Sequence, residues 1–172
     1  MNANSILLAY ASRYGSTQDV AESIAAALRQ VGLRVDMRPM QDVKGLDQSD
    51  AIVLGAAIYN GKWHPDAHDF LSRHQKAIGQ RPVAVFALGP LSTSEEAMRR
   101  SRGQLERDLG MYPWLKPVAV EVFVGKLDPS KLSLFERLGS TASDRRDWDA
   151  IRAWADSLPA QLQHDEVTNP AR

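Results

Sequence analysis

The stretch from Ile6 to Val31 constrains the fold more than any other part of the chain. Ile6-Leu7-Leu8-Ala9-Tyr10-Ala11 is an unbroken apolar run of strand length, and an unbroken run reads as a strand covered on both faces. It gives way to Ser12-Arg13-Tyr14-Gly15-Ser16-Thr17. Val20, Ile24, Ala27, Leu28 and Val31 then form one stripe at helical spacing, with Gly32 as the stop. Such a strand–loop–helix passage suits an anion. The first-turn N–H groups of a helix lack partners, and the macrodipole places partial positive charge there. Ser12, Ser16 and Thr17 add hydroxyls, and Gly15 allows close approach and positive φ. The same residues also read as a plain helix cap, with Asp19 three positions after Ser16 as in a capping box. Two other phosphate motifs are excluded, because no P-loop lysine follows the glycine and no G-x-G-x-x-G spacing occurs. The strand end also lacks the acidic residues of a phosphoacceptor pocket; Ser12 and Arg13 stand there.

The pattern repeats along the chain. Leu33 to Arg38 alternates apolar and polar residues before Pro39, as an edge strand does. Asp50 to Ile58 is continuous and reads as a central strand. A polar and aromatic loop, Tyr59-Asn60-Gly61-Lys62-Trp63-His64, leads to a helix opened by Pro65, with Ala67, Phe70, Leu71 and Ile78 apolar. Val83 to Leu88 is a fourth strand ending at Gly89-Pro90. Ser92 and Thr93 are candidate caps for a helix through about Leu109. Val118 to Val124 is a fifth strand, ended by Gly125. An amphipathic segment, Leu132 to Leu138, reads as a helix packed on the sheet, or as a quinone or membrane contact. In the last helix Trp148, Ile151, Ala155, Leu158 and Leu162 form the stripe, Trp148 and Trp154 read as core, and Pro159 should kink or end it.

Strands alternating with helices imply an α/β three-layer sandwich with a parallel sheet and helices on both faces. Five strands with the second at an edge fit the order 2-1-3-4-5, whose ligands lie at the carboxyl ends beside strand one. The loops Ser12–Thr17, Tyr59–Trp63 and Gly89–Thr93 all fall at that end, and their convergence favours the phosphate reading over the cap. One domain over residues 1–163, followed by a flexible tail over 164–172, is expected.

Composition narrows the function. Cysteine is absent, which removes disulfides, thiolate catalysis and Fe–S clusters, so redox chemistry would need a cofactor. Acidic and basic residues balance at 21 each, giving no net pull towards nucleic acid or anionic membrane. No apolar stretch approaches the roughly 20 residues that span a bilayer, and a cytoplasmic location is expected. His64 and His68 stand at i, i+4 with Asp69 next to His68, but no third metal ligand falls at matching spacing, and they read as a solvated helix start. Arg99, Arg100, Arg102 and Arg107 read as a wet helix face, or else as an anionic partner's site.

With these loops placed, nearly the whole chain resembles the flavodoxin family. In particular it resembles the branch containing menaquinone-dependent protoporphyrinogen oxidases. The likeness rests on Tyr10-Ala11-Ser12-Arg13-Tyr14-Gly15-Ser16-Thr17 and on Leu54 to His64, and more weakly on Phe123-Val124-Gly125-Lys126-Leu127 leading into Leu134 to Leu138. The resemblance implies FMN. Ser12, Arg13, Tyr14, Gly15, Ser16 and Thr17 would wrap its phosphate. Ala57, Ile58, Tyr59, Asn60 and Gly61 would run along one edge of the isoalloxazine, with Gly61 as pivot of a peptide flip toward the reduced N5–H. Gly89, Pro90, Leu91 and Ser92 would approach the other edge. Trp63 would either stack on the ring or bury itself under the next helix, with Tyr59, Tyr112 and Trp114 as further candidates to cover it.

Departures from the family pattern are informative. Tyr14 stands where the usual phosphate loop has a hydroxyl residue, the chain is neutral where carrier flavodoxins are acidic, and the third loop has no aromatic. No long extra loop interrupts the sheet. The neutral charge and the third loop fit a flavin enzyme better than a shuttle carrier, and the Leu54 to His64 likeness implies an oxidoreductase working with a quinone or a porphyrinogen, with a nicotinamide donor as a further option. An electron carrier and a flavin-free binding module are the alternatives. Analogy with flavodoxin-like enzymes offers a homodimer, and the sequence itself leaves the oligomeric state open. No side chain stands out as a general acid or base, so the flavin would conduct the chemistry.

Overall fold

The computed structural model describes residues 4–127, 143–144 and 146–163. The expected Leu132–Leu138 segment and the tail lie outside them. Five parallel strands make the sheet: β1 (Ser5–Ala11), β2 (Arg34–Pro39), β3 (Ala51–Tyr59), β5 (Val83–Leu88) and β6 (Ala119–Phe123). Their spatial order is β2-β1-β3-β5-β6. A two-residue strand, β4 (Lys62–Trp63), folds back antiparallel on β3. The helices are α1 (Ser16–Gln30), α2 (Pro65–Ile78), α3 (Glu95–Gly110) and α4 (Trp148–Gln161), and β7 (Lys126–Leu127) pairs with β8 (Ser143–Asp144). This is the flavodoxin-like α/β sandwich, and without the β4 arm its strand order is the expected 2-1-3-4-5.

The two-residue strand period sorts the core into two layers. Ile6, Leu8 and Tyr10 of β1 join Val53 and Phe86 under α1 and α4, meeting Val20, Ile24, Leu28, Ile151, Ala155 and Leu158. Leu7, Ala9 and Ala11 point the other way and join Ile52, Leu54 and Val85 beneath α2 and α3, meeting Phe70, Leu71 and Leu105. Unbroken apolar runs are required because both faces are covered. Each large aliphatic or aromatic side chain so buried contributes about 1.5–3 kcal/mol. Among the described strands, β2 alternates between exposed and half-buried residues, as an edge strand with α1 over one face.

Gly55 sits where β3 crosses Phe86. A Cβ there would lie 2.0 Å from Phe86 Cζ, so the ring occupies the space a side chain would need. Strand order places the chain reversal at β1. Its α1 connection covers one face, and the α2 connection after β3 covers the other. The carboxyl ends of β1 and β3 therefore border an open crevice.

Several local expectations are corrected. Tyr59–Trp63 is a hairpin rather than an open loop: Ile58 pairs with Trp63 and Tyr59 with Lys62. Asn60 (φ 48°) and Gly61 (φ 68°) form its tip, and two consecutive positive φ values are what a type I′ turn demands. The N-cap of α3 is Ser94, whose Oγ accepts from Ala97 N–H at 3.3 Å; Ser92 Oγ instead accepts from Ser94 N–H. The closing helix runs past Pro159 to Gln161. Trp154 packs on Phe86 and Phe123, but Trp148 is 42% exposed, with the Arg146 guanidinium over its ring.

Candidate functional site

The loop after β1 closes on itself. Gly15 N–H donates to Ser12 Oγ at 2.9 Å, and Gly15, at φ 89°, is the N-cap of α1. No side chain caps this helix. The capping-box reading of Ser16 and Asp19 therefore fails: Asp19 turns to Arg146 at 2.9 Å, and its amide donates to Gly15 O. Ser16 and Thr17 are both buried. Thr17 is wholly inaccessible, and its Oγ1 has no hydrogen-bond partner among the described residues. A buried hydroxyl without a partner costs about 1–3 kcal/mol. Uncapped first-turn amides and an unsatisfied hydroxyl thus converge at the positive end of α1. That arrangement suits an anionic group with several acceptor oxygens.

Tyr14 links this loop to the hairpin, its ring meeting Tyr59 edge-on at 5.7 Å, while Arg13 Cζ lies 5.0 Å from the Tyr14 centroid. The third loop is tied across the sheet. Gly89 N–H donates to Phe123 O at 2.8 Å, and Gly125 N–H donates to Pro90 O at 2.9 Å. A Cβ on Gly89 would meet Val122 Cγ1 at 2.8 Å and Ser101 Cβ at 2.9 Å, so this turn is packed tightly between β6 and α3.

Between the three loops lies a cleft of about 290 Å³. Tyr14, Ser16, Ala57, Ile58, Tyr59, Asn60, Gly89, Pro90 and Leu91 line it, as do Leu88, Gly125 and Lys126. Nine of the sequence-derived candidates thus meet on one surface. Ser12, Gly15 and Thr17 are absent from its wall and shape the loop at its end. Ser92 is not in the wall. Gly125 and Lys126 were not among the candidates, although the Phe123–Leu127 likeness was their signal. They arrive because the Pro90 carbonyl holds Gly125 against the third loop.

Arg13, Gly61 and Trp63 face a second, larger cleft of about 1030 Å³ across the hairpin, bounded by the start of α2 and by α3. Trp63 does not offer its ring for stacking. It is 1% exposed within the α2–α3 core layer, with Nε1 donating to Ala56 O at 3.3 Å. Asp108 of α3 pins the hairpin from outside, its Oδ2 accepting from Trp63 N–H at 3.0 Å. Tyr112 is bound to His68, its Oη 2.7 Å from Nδ1. Trp114 lies beside Gln75, Lys76 and Gly79 at the far end of α2. Among the aromatics considered for covering a ring, Tyr59 is the one in the smaller cleft.

His64 is the N-cap of α2, its Nδ1 accepting from Asp66 N–H at 3.2 Å. Burial lowers its pKa, the Asp66 carboxylate opposes, and the Arg13 guanidinium reinforces the lowering. Asp69 pairs with Arg73 at 2.7 Å. On α3, Arg100 pairs with Glu96 and Arg102 with Glu121, so much of the basic face is neutralised locally.

Residues 7–139 match the family described as Flavodoxin domain. The protoporphyrinogen IX dehydrogenase [quinone] of Escherichia coli strain K12 is 21% identical over 165 residues, covering 87% of this chain and 91% of that relative. A flavodoxin of Streptococcus pneumoniae TIGR4 superposes with a TM-score of 0.62 at 17% identity, over 92% of this chain and 99% of the other. A mutant flavodoxin of Pseudomonas aeruginosa gives 0.60 at 15% identity, over 92% and 98%. Strand order, the uncapped loop after β1 and a family match across most of the length agree: the chain belongs to the flavodoxin domain family.

Proposed function

We propose that this protein binds FMN and works as an oxidoreductase of the quinone- or porphyrinogen-linked type. The carrying observation is the wholly buried Thr17 hydroxyl, left without a partner among the described residues, in the first turn of a helix that no side chain among them caps. A phosphate would satisfy it. Ser12, Arg13, Tyr14, Gly15, Ser16 and Thr17 would hold that phosphate. Ala57 to Gly61 and Gly89 to Leu91 would flank the isoalloxazine, with Tyr59 beside it. When bound, FMN supplies hydride or single-electron transfer. The chain's own part is to place donors at the phosphate, fix the hairpin through Asp108, and set the polarity of the cleft.

The substrate class rests on likeness to the E. coli dehydrogenases, whose name specifies protoporphyrinogen IX and quinone. The neutral balance of 21 acidic and 21 basic residues speaks against a carrier that docks by charge. Among the described residues no helix is long and apolar enough to cross a membrane, and we place the reaction in the cytoplasm with a diffusing or membrane-dissolved acceptor.

Titration of the apoprotein with FMN and with riboflavin tests the assignment. FMN should bind about 100-fold more tightly, the value of one or two charge-assisted hydrogen bonds to phosphate. The reduced holoprotein should then pass electrons to a soluble quinone analogue catalytically. Equal affinity for both flavins, or none for either, overturns the FMN assignment. Tight FMN binding without quinone turnover overturns the substrate class.

A further inference from the structure

Lys126 carries the charge in the wall of the smaller cleft: the other described residues that line it, from Tyr14 to Gly125, are uncharged at neutral pH. We propose that Lys126 sets the potential of the bound flavin, its ammonium favouring the negative charge that the isoalloxazine gains on two-electron reduction. The proposal rests on the FMN assignment and extends it to the residue that biases the cofactor toward its reduced form.

The fold delivers this ammonium by two contacts. Gly125 N–H donates to Pro90 O at 2.9 Å, which draws the chain after β6 against the third loop. β7 begins at the next residue and pairs antiparallel with β8, so that Lys126 stands directly opposite Asp144. The lysine side chain, 34% exposed, is thereby held between that carboxylate and the cleft.

Asp144 positions Lys126 without cancelling it. Its contact with the ammonium is long, 3.8 Å from Nζ to Oδ2. Both of its oxygens are taken by Arg146, with Nε donating to Oδ1 at 2.9 Å and Nη2 to Oδ2 at 2.8 Å. Arg146 also meets Asp19 at 2.9 Å. The row Lys126–Asp144–Arg146–Asp19 is neutral as a whole, and the end it turns to the cleft is the ammonium.

Reduction by two electrons and one proton leaves one negative charge on the ring system. The porphyrinogen of the proposed function would supply the electrons, and dithionite supplies them in the test. A charge beside the ring is one of the protein's levers on a flavin. An opposite charge close by favours an ionised form by about ten- to a thousandfold, and partial exposure puts Lys126 at the lower end.

The midpoint potential of the FMN-loaded protein, read against reference dyes, is combined with titration of the apoprotein by oxidised FMN. Wild type is compared with Lys126→Met, Lys126→Glu and Lys126→Arg. Lys76→Met, at the far end of α2, removes the same charge away from the cleft. Lys126→Met should weaken reduced FMN about tenfold more than oxidised FMN, which lowers the potential by about 30 mV for a two-electron couple. Lys126→Glu should move it further in the same direction. Lys126→Arg should hold the wild-type value, and Lys76→Met should leave it unchanged. An unchanged potential in Lys126→Met, an equal loss of affinity for both redox forms, or an arginine variant that behaves like the methionine one would each overturn the proposal. A wild type that binds no FMN would overturn the flavin assignment and this proposal with it. FMN binding with a potential indifferent to position 126 would overturn this proposal alone.

Discussion

Thr17 combines complete burial with a hydroxyl that nothing among the described residues satisfies. Valine has nearly the same shape and no polar atom. Thr17→Val should therefore stabilise the flavin-free protein by up to about 1 kcal/mol while weakening FMN binding about tenfold. Thermal melts and flavin titration read the two effects separately, and their opposite signs mark a ligand-directed hydroxyl. A variant that loses stability, or keeps full FMN affinity, would show that the group serves packing instead. Gly55 makes a purely steric case. A methyl 2.0 Å from Phe86 Cζ must displace a ring that also touches Phe123 and Trp154. Gly55→Ala should cost about 2 kcal/mol or more in denaturant unfolding, and wild-type stability would refute the contact.

At the scale of elements, the start of α2 carries a pH dependence. His64 caps the helix by accepting at Nδ1, which a protonated imidazole cannot do. Burial is the main cause of its lowered pKa. A pKa below the unfolded value of 6.5 means the neutral cap contributes stability above pH 6.5, and that contribution is lost as pH falls through the folded value. His64→Asn supplies a cap that does not titrate. His74 is also lowered by burial, so both proteins should weaken in mild acid. The excess weakening of wild type over the variant isolates His64. Denaturant midpoints from about pH 7.5 to 5 measure it, and parallel curves would remove the linkage. The β3–β4 hairpin acts differently: its tip is set by Asn60 and Gly61, its base by Asp108, and it forms the shared wall of both clefts.

Across the whole molecule, Arg146 ties the closing helix to the opening one. It donates to Asp19 and to the Ser16 carbonyl in the first turn of α1, and to Asp144 at 2.8 Å. The hydrogen bond from Arg146 is the main cause that holds Asp144 down to about 2. A carboxylate lowered from 3.8 contributes stability above that value, and loses it as pH falls from 3.8 through about 2. Arg146→Met should cost about 1 kcal/mol near neutrality, since the pairs are partly exposed and screened. Its deficit relative to wild type should shrink across that acid window. A deficit independent of pH would assign the loss to packing on Trp148 rather than to charge.

Much of this protein was legible along the chain, because periodicity and burial are local properties. Strands covered on two faces must be unbroken apolar runs, the edge strand must alternate, and a glycine- and hydroxyl-bearing turn after β1 suits either a helix cap or an anion site. Those rules placed the sheet order and brought the loops after β1, β3 and β5 to one end, while Ala57 and Ile58 in the smaller cleft came from the resemblance to the flavodoxin family. Trp63 was not legible in the same way: its indole could face a ligand or the core, and burial beneath α2 was settled by packing from α3. Asn60-Gly61 carries a hairpin signal, but two residues of return strand leave no periodicity to detect. Gly125 and Lys126 enter the cleft, and Asp108 clamps the hairpin, through contacts between segments distant in sequence. Local pattern determined the elements and their layers. The tertiary structure alone decided which loop residues face one another, because that follows from strand register and helix packing, which no short stretch of chain encodes.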